Sequence, residues 1–143
     1  MASGDAGDAM GLDQAMIVAG IGCKAGASAQ EIEAAIGAAL SQAGLAGSAL
    51  GLIATSHAKS SEAGIAAAAT GRGLKIIVVA QADLVSAGAR TLTRSERVLA
   101  MTGVPSVSEA AALAAAGPRS RLLASRVAVG PATCALAVTG DAP

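Results

Sequence analysis

The sequence predicts an α/β fold: a single three-layer α/β/α domain with a mainly parallel sheet, whose last two strands could pair as an antiparallel hairpin at one edge. Three observations support this prediction. Short apolar runs alternate with longer segments that have helix signals, glycine or proline separates most of them, and the 143 residues suffice for one core. We predict a flexible tail at residues 1–13 and one domain at residues 14–143.

The first strand and helix have the clearest signals. Residues 15–20 (AMIVAG) are a short apolar run that ends in glycine, which is typical of a buried strand. Ser28 and Glu31 have the spacing of a capping box, so a helix should begin there and end at Gly44. The apolar face of this helix repeats every four residues, at Ile32, Ile36 and Leu40.

The rest of the chain repeats this pattern of strands and capped helices. The predicted strands are at 49–56 and 74–80, with two strand-like pieces around Gly130 and Pro131. The predicted helices are a short one capped by Ser60 or Ser61 that ends at Gly71, and a helical turn at 81–88. Two more follow, one from Thr93 or Ser95 to Gly103, and one from a second capping box, Ser106 and Glu109, to Gly117.

The composition argues against several classes of function. Ten basic and ten acidic residues balance, and Phe, Tyr and Trp are missing, so we expect no nucleic-acid partner. The apolar runs are far shorter than the ~20 residues that span a bilayer, so we expect no membrane partner. Cys23 and Cys134 lie far apart and fit no metal spacing, and the N-terminal segment does not resemble a signal peptide. We therefore expect a cytoplasmic protein with free thiols, no metal and no cofactor.

The stretch GIGCKAGAS, residues 20–28, should lie at the carboxyl edge of the sheet, where α/β proteins usually bind ligands. Gly20 and Gly22 would let the backbone approach a ligand closely, and Lys24 adds a positive charge. The amides around Ser28 would favour an anion. The glycine spacing fits neither a Walker A loop nor a dinucleotide fingerprint. The alternative is a sharp turn that serves only the fold.

The loop after the second predicted strand should lie beside the first loop. It has more polar groups than a turn needs, at Thr55, Ser56, His57, Lys59 and Glu62. The candidates for catalysis are His57 as a general base, Glu62 as its partner, and Cys23 as a nucleophile whose pKa a helix N-terminus would lower. The alternatives are a solvated histidine and a cysteine that only packs, and a single histidine makes a multi-histidine metal site impossible.

A third charged stretch precedes a predicted helix. Residues 90–97 (RTLTRSER) place Arg90, Arg94 and Arg97 close to Ser95. Three arginines at this spacing could clamp carboxylates through bidentate contacts. The alternative is a charged face in contact with solvent only.

Four segments, in order and spacing, resemble the CobE family of cobalamin biosynthesis, which is similar to the C-terminal domain of cobalt-precorrin-5A hydrolase (CbiG). The segments are GIGCKAGASAQEIEAAI, LIATSHAKSSEAGIAAAA, SERVLAMTGVPSVSEAAAL and LLASRVAVGPATCALAV, and the match covers residues 15–139. Within the family pattern lie Lys24, Lys59, Glu62, the pair Ser95 and Glu96, and Arg126 where the family usually has lysine. The residues SHA before Lys59 depart from the pattern.

The resemblance implies a protein of corrin-ring biosynthesis, whose substrates are macrocycles with many carboxylates. We expect it to bind a precorrin or corrinoid, with other enzymes of the pathway as further candidate partners. The expected binding residues are Gly20, Gly22, Cys23, Lys24, Ser28, Thr55, His57, Lys59, Glu62, Ser95 and Arg97. The alternatives are an enzyme of the same pathway, acting on a lactone or by acid–base chemistry, and a small nucleotide-binding module. Whether any reaction is catalysed stays open.

Overall fold

A computed structural model gives the fold. It describes residues 15–140, and the predicted tail at 1–13 lies outside them. In chain order the elements are β1 (Ile17–Cys23), α1 (Ala29–Ala43), β2 (Leu50–Ser56), α2 (Ala63–Arg72), β3 (Ile76–Val79), α3 (Gln81–Gly88), α4 (Glu96–Thr102), α5 (Val107–Ala116), β4 (Arg121–Leu122), β5 (Val127–Val129) and β6 (Ala132–Val138). Two short 3-10 turns, Gly47–Ala49 and His57–Lys59, flank β2.

The strands form one six-stranded sheet in the order β3-β2-β1-β6-β4, with β5 also paired to β6. The pairs β1–β2 and β2–β3 are parallel, whereas β6 runs antiparallel to β1, β4 and β5. The predicted α/β class is confirmed. The antiparallel part is larger than an edge hairpin, because β6 lies inside the sheet and pairs with all seven residues of β1.

Helices cover both faces of the sheet, as predicted. Alternate side chains of a strand point to opposite faces, so Ala19 and Ile21 of β1 face α1 and α2, where Ile32 and Ile65 are buried. On the other face, Val18 packs under α3 and α5 with their buried alanine and leucine side chains. Each fully buried isoleucine stabilises the fold by about 2 kcal/mol.

Gly20 is needed where α5 crosses β1. A Cβ atom on Gly20 would lie 2.6 Å from the backbone nitrogen of Ala112 and closer still to the carbonyl oxygen of Ser108. The strand predicted at 15–20 is longer at its C-terminal end than expected: β1 includes Gly20 and Gly22 and ends at Cys23. In this stretch only Gly26, at a φ of 80°, has the left-handed backbone that a sharp turn requires.

The helix caps were predicted with mixed success. The first capping box is present, since the Ser28 side chain accepts from the Glu31 amide and the Glu31 carboxylate accepts from the Ser28 amide. The second is wrong: Ser106 precedes α5 but makes no side-chain cap, and its hydroxyl is buried without a partner among the described residues. The start of α2 is also different, because Ser60 and Ser61 do not cap it and Ala63 is its first residue.

No single helix between residues 15 and 140 is long and apolar enough to cross a membrane. Joined end to end, α4 and α5 would have the length and the apolar composition of a membrane-spanning helix. However, the chain bends by 64° between them, and α5 is buried in the core.

Candidate ligand-binding cleft

A cleft of about 830 Å³ opens at the carboxyl ends of β1 and β2. Its volume falls within the ~300–1,000 Å³ typical of small-molecule sites. One wall consists of the end of β1 and the residues after it (22–25), together with Ser56 at the end of β2 and Ala58 and Lys59 after it. A second wall consists of α4 and the start of α5. The hairpin segment that contains Arg126 and Thr133 also lines the cleft and lies beside β1, where Thr133 pairs with Gly22. The two predicted loops therefore share one cleft.

Four cationic side chains line this cleft: Lys24, Lys59, Arg97 and Arg126. Within residues 15–140 none of the four side chains takes part in an ion pair or a hydrogen bond, and no acidic side chain lines the cleft. Such a concentration of positive charge favours an anionic ligand.

The lining between these charges is apolar but not aromatic. It includes Leu84 of α3, Val98 and Met101 of α4, Val107 of α5 and Pro131. Met101 is 74% exposed, the highest value among the large exposed apolar side chains of residues 15–140. The cleft can therefore cover an apolar ring face with aliphatic side chains alone.

The loop after β1 does not offer a cradle of free amides. The Lys24 amide donates to the Pro131 carbonyl at 2.9 Å, and the Gly26 amide donates to Oε1 of Glu62 at 3.0 Å. The Ser28 amide donates to the Glu31 carboxylate at 2.9 Å. The carboxylates of Glu62 and Glu31 thus accept from the Gly26 and Ser28 amides, which the sequence predicted to bind an anion. The predicted ligand contact at Ser28 is therefore corrected to a helix-capping role.

Two other predicted contacts are part of the sheet interior. Gly20 is buried under α5, and the Thr55 hydroxyl, 1% exposed, donates to the Ile21 carbonyl at 2.9 Å. Gly22 does line the cleft, where an added Cβ would lie 2.8 Å from the Thr133 hydroxyl. Gly20 and Thr55 are therefore corrected to structural roles.

The predicted catalytic residues are not assembled in the cleft. His57 lies in the 3-10 turn after β2, is exposed and does not line the cleft. Glu62 is outside the lining as well, with its carboxylate bonded to the Gly26 amide. Ser95, predicted to bind ligand, caps α4 by accepting from the Val98 amide at 3.2 Å. The structure does not bring these three side chains to the cleft.

Cys23 lines the cleft but is not an activated thiol. Burial raises the pKa of Cys23 above its usual value, the positive charge of Lys59 opposes this shift, and the negative charge of Glu62 adds to it. A raised pKa leaves the thiol protonated near neutral pH, which contradicts the expected lowering by a helix N-terminus. Cys134 is fully buried, and burial raises its pKa to about 12.

The three-arginine clamp does not form. Arg90 donates to the carbonyls of Ser120 and Gly117, and Arg94 pairs with Glu96 at 2.6 Å. Only Arg97 faces the cleft. Each predicted arginine therefore has a different role, and one of the three is available to a ligand.

The expected binding set missed several lining residues. Arg126 lies within the family pattern and Met101 within α4, and both line the cleft although neither is in the predicted binding set. Met101 follows Arg97 by four residues, which places both on one face of α4, and this spacing could have identified it. In the described part of the chain, no group of three or more His, Cys, Asp or Glu side chains could hold a metal ion.

The fold and the cleft define a class: an α/β domain with a cationic, aliphatic cleft at the carboxyl edge of its sheet. The family model for the "Cobalamin synthesis G C-terminus" matches residues 17–137. The chain belongs to this CobE/CbiG C-terminal family, and it is a protein of the cobalamin biosynthesis pathway. The resemblance predicted from the four segments is confirmed.

Relatives and solved structures agree with this assignment. Protein CobE from Sinorhizobium sp is 36% identical over 121 residues, which cover 85% of this chain and 79% of that protein. The crystal structure of CobE, a protein from the cobalamin (vitamin B12) biosynthetic pathway, matches with a TM-score of 0.84 and 33% identity over 90% of this chain and 94% of that one.

Two further structures extend the comparison. Cobalamin biosynthesis protein chiG from Agrobacterium tumefaciens str. C58 has a TM-score of 0.70 and 47% identity, covering 88% of this chain and all (100%) of that one. A cobalamin biosynthesis protein G homologue from Sulfolobus solfataricus has a TM-score of 0.64 and 23% identity, covering 86% of this chain but 36% of that one, and supports the fold alone.

Proposed function

We propose that this protein binds a carboxylate-rich precorrin or corrinoid in the cleft at the carboxyl ends of β1 and β2. The observation that carries the proposal is a set of four cations, Lys24, Lys59, Arg97 and Arg126, that have no ion-pair partner and no acidic neighbour in the cleft among residues 15–140. Acetate and propionate groups around a macrocycle are suitable partners for cations spread over both walls, because each can reach a different side chain.

The apolar lining supports the same ligand class. A corrin ring presents a broad apolar face, and Val98, Met101 and Val107 offer aliphatic contact between the charges. A nucleotide is a poorer fit, because the amides of Lys24, Gly26 and Ser28 donate within the chain and are not free for phosphate.

Binding without chemistry fits the placement of the titratable groups. Cys23, the one catalytic candidate in the cleft, has a raised pKa, and His57 and Glu62 do not line it. We therefore propose a binding role in the pathway, in which the protein holds an intermediate or product and exchanges it with other pathway enzymes. The two free thiols, Cys23 and Cys134, agree with a cytoplasmic location.

The test is equilibrium dialysis with two coloured corrins. Cobyrinic acid has free acetate and propionate groups, whereas cobyric acid has amides in most of these places. Since the chain contains no Phe, Tyr or Trp, its own near-ultraviolet absorbance is negligible, and absorbance in the near ultraviolet as well as at visible wavelengths reports the ligand. We expect cobyrinic acid to bind more tightly than cobyric acid, with an affinity that falls as salt is added.

A pair of arginine variants locates the site. Arg97→Gln should weaken binding of cobyrinic acid about fivefold, which corresponds to about 1 kcal/mol for one partly solvated charge contact. Arg94→Gln is the matched control. It removes the same charge at a position three residues before Arg97, from a side chain that pairs with Glu96 and does not line the cleft. No binding by the unaltered protein, or equal losses in both variants, would contradict the proposal. A change in the mass of the bound corrin would instead indicate an enzyme.

A further inference from the structure

Glu109 of α5 is a fully buried carboxylate with no cationic partner among residues 15–140. It is 0% exposed, and its two oxygens accept four hydrogen bonds. Oε1 accepts from the amides of Leu92 and Thr93, each at 2.8 Å. Oε2 accepts from the Thr93 hydroxyl and the Arg126 amide, each at 2.7 Å. These four hydrogen bonds replace the hydrogen bonds to water that a carboxylate loses when it is buried.

All of these donors belong to the two segments that carry the arginines of the cleft. Arg126 gives its amide to Glu109 while its side chain lines the cleft. Thr93 lies two residues before Ser95, which caps α4, and Arg97 lies in the first turn of that helix. One carboxylate therefore holds the backbone of Arg126 itself and, at Thr93, the backbone four residues before Arg97.

Packing alone does not fix the position of α4. None of its seven residues is buried, so the helix is held by polar contacts at its ends. At its N-terminal end, the Ser95 amide donates to the Pro105 carbonyl at 3.1 Å, and at its C-terminal end, Gln81 donates to the Thr102 carbonyl at 2.7 Å. The bonds to Glu109 fix the chain just before this helix.

We propose that Glu109 is a positioning residue for the ligand: through the backbone of Thr93 and Arg126 it sets Arg97 and Arg126 at the distance that the carboxylates of one ligand require. The inference rests on the proposed function, because it concerns affinity for the same ligand. A purely structural Glu109 would change stability and leave ligand affinity unaltered. The two roles therefore give different results in a binding experiment.

The variant that tests this is Glu109→Gln. Glutamine keeps the shape of the side chain but replaces one acceptor oxygen by an NH₂ donor, which must face either the Leu92 and Thr93 amides or the Arg126 amide. We expect its affinity for cobyrinic acid to fall about fivefold. In a background that already carries Arg97→Gln and Arg126→Gln, the same change should weaken binding less than about twofold, because the groups it positions are gone.

Glu33→Gln is the matched control. It makes the same chemical change in a carboxylate that pairs with Arg72 at 2.9 Å outside the cleft. It should alter the affinity for cobyrinic acid less than about twofold in either background. The control also accounts for the loss of one negative charge, which would raise the affinity for an anion.

Amide hydrogen exchange tests the contact without ligand. The Arg126 amide should exchange slowly in the free protein and at least about tenfold faster in the Glu109→Gln variant. If that variant does not fold, Thr93→Val removes only the hydroxyl bond to Oε2, and it should weaken binding about twofold unless both arginines are already replaced.

Two results would overturn the inference alone: unaltered affinity of the Glu109→Gln variant, or an equal loss with and without the two arginines. Failure of the unaltered protein to bind cobyrinic acid would overturn the proposed function and this inference together.

Discussion

The two walls of the cleft are built in different ways. The first wall extends from β1 and β2, which are inside the sheet and whose buried side chains pack against helices on both faces. The second wall extends from α4, which has no buried residue and is held at its ends by hydrogen bonds to Pro105 and Gln81, while Glu109 holds the chain just before it. Both walls place cationic side chains in the cleft. The first wall is set by the core, whereas the second is set by a few polar anchors and should be easier to displace.

The largest expected effect concerns the core under the first wall. Gly20→Ala would place a methyl group 2.6 Å from the Ala112 nitrogen and closer to the Ser108 carbonyl, so α5 must move away from β1. We expect a loss of at least about 3 kcal/mol in the free energy of unfolding. Urea denaturation followed by circular dichroism would measure it, since the chain has no tryptophan to report fluorescence.

Gly37→Ala is the control for that substitution. Gly37 lies in α1, is exposed and has no atom within 4 Å of the added methyl group, so alanine should stabilise the helix by up to about 1 kcal/mol. A Gly20→Ala protein as stable as the unaltered one would mean that α5 does not lie against β1 as described.

The sequence predicted the first wall better than the second for a physical reason. The spacing of Ile32, Ile36 and Leu40 and the Ser28–Glu31 capping box are local signals, and the structure has both. The two loops after β1 and β2 could be placed together because the carboxyl ends of parallel strands share one edge. Fold class, two helix boundaries and the cations of the first wall follow from such local rules.

The second wall depends on contacts between residues far apart in sequence, which local rules do not reveal. Glu109 has the spacing of a capping box with Ser106, but its actual partners are 16 and 17 residues away. Arg90 and Arg97 have the same chemistry, yet one binds backbone carbonyls and the other faces the cleft. Gly20 was predicted to contact a ligand, but it is needed where α5 crosses β1. The sequence alone does not distinguish a glycine required by helix packing from a glycine required by a ligand.

A matched pair of cap deletions would sharpen the comparison of the walls. Ser28 caps α1 beside the first wall and Ser95 caps α4 in the second. Each serine-to-alanine change should cost its helix about 1 kcal/mol. Because α1 is anchored in the core, Ser28→Ala should lower global stability and leave the affinity for cobyrinic acid unaltered. Ser95→Ala should lower that affinity about threefold and speed amide exchange within α4, with little change in global unfolding.

The reverse result would contradict this account of the walls. If Ser28→Ala weakened binding while Ser95→Ala did not, Ser28 would contact the ligand as the sequence first suggested, and α4 would be fixed by something other than its caps.

The smallest expected effect concerns the thiol in the first wall. Burial is the largest cause of the raised pKa of Cys23, Lys59 lowers that pKa and Glu62 raises it. Lys59→Met removes the charge that stabilises the thiolate, so the pKa should rise further and alkylation by iodoacetamide at a given pH should slow by a few fold. Glu62→Gln removes the opposing charge and should lower the pKa and speed alkylation, while its amide oxygen can still accept from Gly26.

The rate of alkylation against pH measures both shifts, and Cys134 serves as an internal control because its burial and a pKa of about 12 keep it unreactive. Ser95→Ala should leave the Cys23 profile unaltered, since the first wall does not depend on α4. A bound corrin should slow alkylation, because it covers Cys23 and brings carboxylates that disfavour the thiolate. If the Ser95→Ala change shifted the profile as much as Lys59→Met does, the two walls would move as one unit, and the distinction between a core-fixed and a polar-anchored wall would be wrong.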